Sequence, residues 1–90
     1  VSTLEVTFVA SDRTVWSGKA ARVVVPAADG SMGILPRMQP TLAILDAGTV
    51  RITGEDGEVT ERSVAGGFVS MDHNELTIAV DHADRAGSAR

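Results

Sequence analysis

Apolar residues return at every second position along most of this chain, and that spacing restricts its fold more than any other feature. Leu4, Val6, Phe8 and Ala10 alternate with Glu5, Thr7, Val9 and Ser11. Successive side chains of a strand point to opposite faces, so the pattern reads as a strand with one face buried. The same alternation places a short β-branched and aromatic strand at 14–16, broken by Ser17-Gly18. A central strand follows at 19–26, where Val23-Val24-Val25 is β-branched throughout and Pro26 cannot donate to a ladder. Further strands are expected at 41–45, with Leu42 and Ile44 facing one way, and at 49–53. The remaining strands fall at 60–64, 68–71 and 76–80. Turns are expected at Asp12-Arg13, Asp46-Ala47-Gly48, Gly66-Gly67 and Asp72-His73-Asn74, and Asp56-Gly57 within GEDGE is the strongest hairpin signal. No helical period stands out before residue 81. Short strands every eight to twelve residues indicate an all-β chain, an antiparallel β-sandwich or small barrel.

Ninety residues allow one domain with one modest core. There is no cysteine, which excludes a disulfide framework and a thiolate metal site. No apolar run approaches the roughly 20 residues of a membrane-spanning helix, so direct membrane insertion is not expected. No secretory signal is visible in VSTLEVTF. Eight Lys plus Arg against twelve Asp plus Glu give a formal charge of -4, which argues against nucleic acid and anionic lipid as partners. Trp16, Phe8 and Phe68 are the only aromatics, so stacking platforms for bases are scarce.

Residues with chemical potential are few. His73 and His82 lack companions at metal-ligand spacing and read as exposed histidines, so no metal site is expected. Ser70, Asp72 and His73 could be grouped as nucleophile, acid and base, but neighbours within one turn do not take up that geometry, and no elbow motif surrounds the serine. The glycines at 30, 33, 66 and 67 fit no phosphate-cradling loop. The single lysine, Lys19, raises the alternative of a carrier domain, a small β-sandwich with one modified lysine at a hairpin tip. Here it leads straight into a buried-looking strand. No catalytic residues and no cofactor are expected.

One stretch does not read as ordinary loop. DGSMGILPRMQP, residues 29–40, opens with Asp29-Gly30 and ends among prolines, yet places Met32, Ile34, Leu35 and Met38 between them. Either these fold inward as a short buried strand or some are held out for a partner. The longer pattern DGSMGILPRMQPTLAILDAGTVRI, residues 29–52, resembles the ε subunit of the rotary proton-translocating ATP synthase. That family carries a glycine-bearing turn, then G-I-L/Y-P-x-H-x-P, an apolar strand, and a G-x-V/I-R-I strand. LEVTFVASDRTVWSG at 4–18 and AGGFVSMDHNELTIAVDHA at 65–83 are similar to the family's opening and closing strands, so the resemblance spans nearly the whole chain in order.

The resemblance implies a flattened antiparallel β-sandwich of about ten short strands over residues 1–83, followed by a tail at 84–90 that starts a helix or stays unstructured. It implies a non-catalytic place in the central stalk, joining the γ subunit to the ring of c subunits at the cytoplasmic face of the bacterial plasma membrane. By matching position, Asp29, Gly30, Ser31 and Met32 are expected to face the polar loops of the c ring, and Met38, Gln39, Pro40 and Leu42 to lie against γ. Ile34 and Leu35 are assigned to the core. Met38 stands where the family commonly has histidine, and is read as an interface residue with core gap-filling as its alternative. Most members of the family continue past the last strand into a two-helix hairpin, which is not expected within these residues, and hairpin-type inhibition is not expected of them. The family's nucleotide motif [IL]-D-x-x-R-A is only superficially matched by VDHADRA at 80–86, so no nucleotide site is expected. The competing reading is a stand-alone β-sandwich binding or carrier module, which requires a concave pocket or Lys19 at a tip.

Overall fold

In the computed structural model, residues 3–11, 13–28, 30–81 and 83 are described. They form six strands: β1 (Leu4–Ala10), β2 (Arg13–Ala27), β3 (Gly30–Ile34), β4 (Thr41–Gly54), β5 (Val59–Asp72) and β6 (Glu75–Val80). No helix occurs among the described residues. The strands hydrogen-bond in the order β1-β6-β5-β4-β2-β3, and β1 also pairs with β2. Five strands therefore close into a ring, and β3 is added along the second half of β2. All pairings are antiparallel except β1 with β6, which is parallel. The body is flattened, 34 × 28 × 23 Å.

The alternation seen in sequence is the alternation of burial. Along β1, Leu4, Val6, Phe8 and Ala10 are buried while Glu5 and Thr7 are exposed. Along β6, Leu76, Ile78 and Val80 are buried against Glu75 and Thr77. These inward residues meet Val23, Val25, Val50 and Ile52 from β2 and β4 in one apolar core. No polar or charged residue is fully buried among the described residues, so the core is held by apolar burial and by the ladders around it.

The strand count is six rather than about ten, because three of the expected breaks lie inside continuous strands. Ser17-Gly18 falls within β2, Asp46-Ala47-Gly48 within β4, and Gly66-Gly67 within β5. For the breaks in β4 and β5 the reason is a change of face. Leu45 points inward on β4, but farther along the inward residues are Val50 and Ile52, so the parity of burial switches from odd to even. Strand β5 switches at the same level, from Val64 to Val69 and Met71. The two strands keep one register throughout, from Thr41 opposite Met71 to Thr53 opposite Val59. The β4–β5 ribbon thus turns over as a unit without breaking, and a lost period-two phase resembles a turn in sequence. Gly67 makes the crossing possible. Its φ is +148°, and a Cβ there would overlap the Ala79 carbonyl oxygen and stand 2.7 Å from Val80 Cα.

The Asp56-Gly57 hairpin forms as expected. The Gly54 N–H donates to Glu58 O at 2.8 Å, the Gly57 N–H to Gly54 O at 3.0 Å, and Gly57 has φ +89°. The expected turn at Asp72-His73-Asn74 is also present, with φ of 51° at His73 and 63° at Asn74. Positive φ at both central residues is what a two-residue hairpin between twisted strands requires. The turn expected at Asp12-Arg13 and the expected tail lie partly or wholly outside the described residues.

Candidate partner-binding face

The unusual stretch resolves into a strand, a tight turn and an approach to the next strand. Residues Gly30–Ile34 form β3, paired with β2 so that Ile34 lies opposite Val23 and Met32 opposite Val25. Ile34 is completely buried, as assigned, and Met32 is half-buried against the core. Leu35 is not in the core: it is 50% exposed. Leu35 follows the last residue of β3, and with Ile34 turned inward the next side chain emerges on the outer side. After it the chain turns through Pro36 and Arg37, whose φ is +71°. Met38 folds back, half-buried against the core, and its Sδ accepts from the Leu35 N–H at 3.1 Å. Gln39 and Pro40 are exposed.

The chain then enters β4, where Leu42 is 73% and Ile44 67% exposed. Residues directly opposite on neighbouring strands share a face. Ile44 is opposite Phe68, Phe68 opposite Ala79, and Ala79 opposite Val9. Leu42 begins the next row, opposite Ser70, which is opposite Thr77 and then Thr7. An apolar row thus crosses four strands with a hydroxyl-bearing row beside it. Phe68 is 44% exposed, and Val9 and Ala79 are half-buried. No charged residue stands in these two rows. A contiguous uncovered apolar surface on a small domain marks a place where another macromolecule docks.

The residues expected to contact the c ring lie elsewhere. Gly30 and Ser31 are exposed at the start of β3, opposite Ala27 and Pro26, and Asp29 lies outside the described residues. Roughly 13 Å of strand separates Gly30 from the turn after Ile34 that leads to Met38. Ile44 and Phe68 are members of the apolar face that the sequence reading did not include. Phe68 could not be linked to Leu42 without the β4–β5 register, whereas the exposed side of Ile44 was visible in its alternation.

Elsewhere the exposed surface is mostly polar, with Leu35 and Val59 as isolated exposed apolar residues. Arg51 Nε donates to Glu61 Oε2 at 2.7 Å across β4 and β5. Lys19 lies within β2, 3.8 Å from Glu5 on the neighbouring strand, and not at a hairpin tip. That removes the lysine geometry a carrier domain requires. His73 Nδ1 lies 2.9 Å from Asp72 Oδ1 in an exposed turn. Among the described residues no group of three or more His, Cys, Asp or Glu could hold a metal. Two open clefts, of about 300 and about 280 Å³, are lined by hairpin carboxylates with Trp16 and Lys19, and by Val24, Ser31, Thr49, Arg51 and Glu61.

Fold and face together define a small β-sandwich that offers an exposed apolar sheet surface. Residues 3–86 match the family described as ATP synthase, Delta/Epsilon chain, beta-sandwich domain. The chain belongs to that family, as its sequence resemblance implied. It is 42% identical over 83 residues to the ATP synthase epsilon chain of Streptomyces avermitilis, covering 92% of this chain and 67% of the relative. It is also 42% identical over 82 residues to the epsilon chain of Synechococcus elongatus, covering 91% and 59%. The chain thus spans about three-fifths to two-thirds of the length of these relatives. Its fold is similar to a chain in the Euglena gracilis mitochondrial ATP synthase OSCP/F1/c-ring structure, with a TM-score of 0.91 at 18% identity, covering all of this chain and 57% of that one. A chain from the Tetrahymena thermophila mitochondrial ATP synthase central stalk and c-ring structure is similar with a TM-score of 0.78 at 22% identity, covering 97% and 69%.

Proposed function

We propose that this chain is a non-catalytic ε subunit of the central stalk of a rotary proton-translocating ATP synthase, at the cytoplasmic face of a bacterial membrane. There it couples the c ring to the γ subunit during ATP synthesis. The observation that carries the reading is the apolar row Ile44–Phe68 with Leu42 beside it, left uncovered on a domain of this family. A coupling subunit must bury such a surface against its neighbour, because burial supplies about 25 cal/mol per Å² of apolar area. The γ-facing set is Met38, Gln39, Pro40 and Leu42, extended by Ile44 and Phe68. The c-ring-facing set is Asp29, Gly30, Ser31 and Met32, of which Gly30 and Ser31 are exposed at the start of β3. Their separation suits a subunit that touches two partners at once. Transmitting torque between them requires a stiff body, and a closed ring of paired strands around an apolar core supplies one.

The test is capture of the cognate γ subunit by the wild-type chain and by a variant with Met38→Asp and Leu42→Asp, circular dichroism establishing that the variant folds. The expected result is γ retained by the wild type and lost by the folded variant. Retention by the variant would move the interface off residues 38–42. No capture by the wild type would favour the stand-alone binding module instead.

A further inference from the structure

We propose that Asn74 is a positioning residue for the partner-facing segment, fastening the turn at residues 35–38 in the shape that presents Leu35 outward and delivers the chain to Leu42. The inference rests on the stalk reading above. Asn74 lies 37 residues away in sequence, in the hairpin turn between β5 and β6, yet its Oδ1 accepts from the Arg37 N–H at 2.6 Å. Its main-chain oxygen accepts from the Glu5 N–H at 2.7 Å. One residue therefore ties the turn after β3 to the start of β1.

Arg37 needs such a tie. Pro36 followed by φ +71° fits the two central positions of a type II turn, the second of which favours glycine or asparagine. A side chain of the L series rarely adopts this backbone unless its surroundings hold it there. The Leu35 N–H to Met38 Sδ contact at 3.1 Å is a weak bond to a thioether and closes only the local loop. Thr41 Oγ1 donates to Gln39 O at 2.8 Å and braces only the entry to β4. The bond from Arg37 to Asn74 is the one among these that reaches another hairpin. Its own turn accepts asparagine or glycine alike at φ +63°, so the turn constrains the backbone of Asn74 and leaves its amide oxygen free for another use. The amide oxygen is the part of the residue that the turn does not need and the interface segment uses.

That distinction supplies the experiment. Asn74→Gly keeps the turn backbone and deletes the acceptor, whereas Asn74→Asp keeps an acceptor oxygen in the same place. Amide hydrogen exchange at Arg37 and the dissociation constant for the γ subunit are measured for both and for the wild type, with thermal unfolding alongside. Expected for Asn74→Gly are Arg37 exchange at least about tenfold faster and γ affinity about fivefold to tenfold weaker, with the unfolding midpoint within about 4 °C of the wild type. Asn74→Asp is expected to match the wild type in both exchange and affinity. Unchanged Arg37 exchange in Asn74→Gly would overturn the fastening itself. Faster exchange with undiminished γ affinity would overturn its role at the interface. A wild-type chain that does not bind γ fails before any variant is compared, and removes the stalk reading together with this role.

Discussion

The two ends of the β4–β5 ribbon share one register and one core yet carry opposite outer surfaces. Toward the start of β4 the outward residues are Leu42 and Ile44, with Phe68 and Ser70 opposite. Beyond the point where the ribbon turns over they are Thr49 and Arg51, with Ser63 and Glu61 opposite, and the last pair forms an ion pair at 2.7 Å. The inner surfaces are equivalent: Leu45 and Val69 on one side of the crossing, Val50 and Ile52 on the other, are all nearly inaccessible. Folding therefore sets the inward residues alike and leaves the outward ones free to serve something else. The polar half does what a solvated sheet face should do, keeping the surface from sticking to itself. The apolar half does not, and that contrast is what the proposed interface rests on.

The contrast can be broken most severely at its hinge. Gly67→Ala forces a Cβ into the Ala79 carbonyl and adopts φ +148°, so it should cost about 4 kcal/mol or more; chemical denaturation that shows the variant as stable as the wild type would refute the crossing. Next come two isoleucines of one strand. Ile52→Ala, 1% exposed in the parent, should lose about 2 to 5 kcal/mol in the same measurement. Ile44→Ala, 67% exposed, should change stability by no more than about 0.5 kcal/mol. A third comparison reads binding. Leu42→Asp with Ile44→Asp should weaken γ association by at least about tenfold, or about 1.4 kcal/mol, while a folded Arg51→Ala variant should leave it unchanged. Smallest is the ion pair. A double-mutant cycle on Arg51 and Glu61, whose side chains are 55% and 48% exposed, should give a coupling of about 0.2 to 1 kcal/mol that shrinks as salt is added.

The strands were legible wherever alternation kept its phase. Leu4 to Ala10 and Leu76 to Val80 stand in the sequence as they stand in the fold. Legibility failed where phase changed, because Asp46-Ala47-Gly48 and Gly66-Gly67 carry turn composition but sit in unbroken ladders. A glycine that lets a ribbon turn over and a glycine that ends a strand look alike in one dimension. Leu35 was misplaced for a different reason: hydrophobicity alone put it beside Ile34 in the core, whereas the side chain after an inward Ile34 emerges on the outer side. The shared outward side of Leu42 and Ile44 was readable because their alternation keeps its phase. Phe68 was not, since a sheet face is assembled from strands distant in sequence, and pairing alone shows which residues share it.

The parallel contact between β1 and β6 has a consequence for the birth of the molecule. It joins the earliest of the six described strands to the latest, so this ring cannot shut before β6 has been made. During synthesis β1 can pair with β2, but its other edge stays vacant until β6 emerges. Folding of this kind, dominated by partners far apart in sequence, is slow and leaves strand edges open to wrong company. Glu5, exposed at the start of that seam, puts a charge on the vacant edge and makes it less attractive to an unrelated strand in the interval.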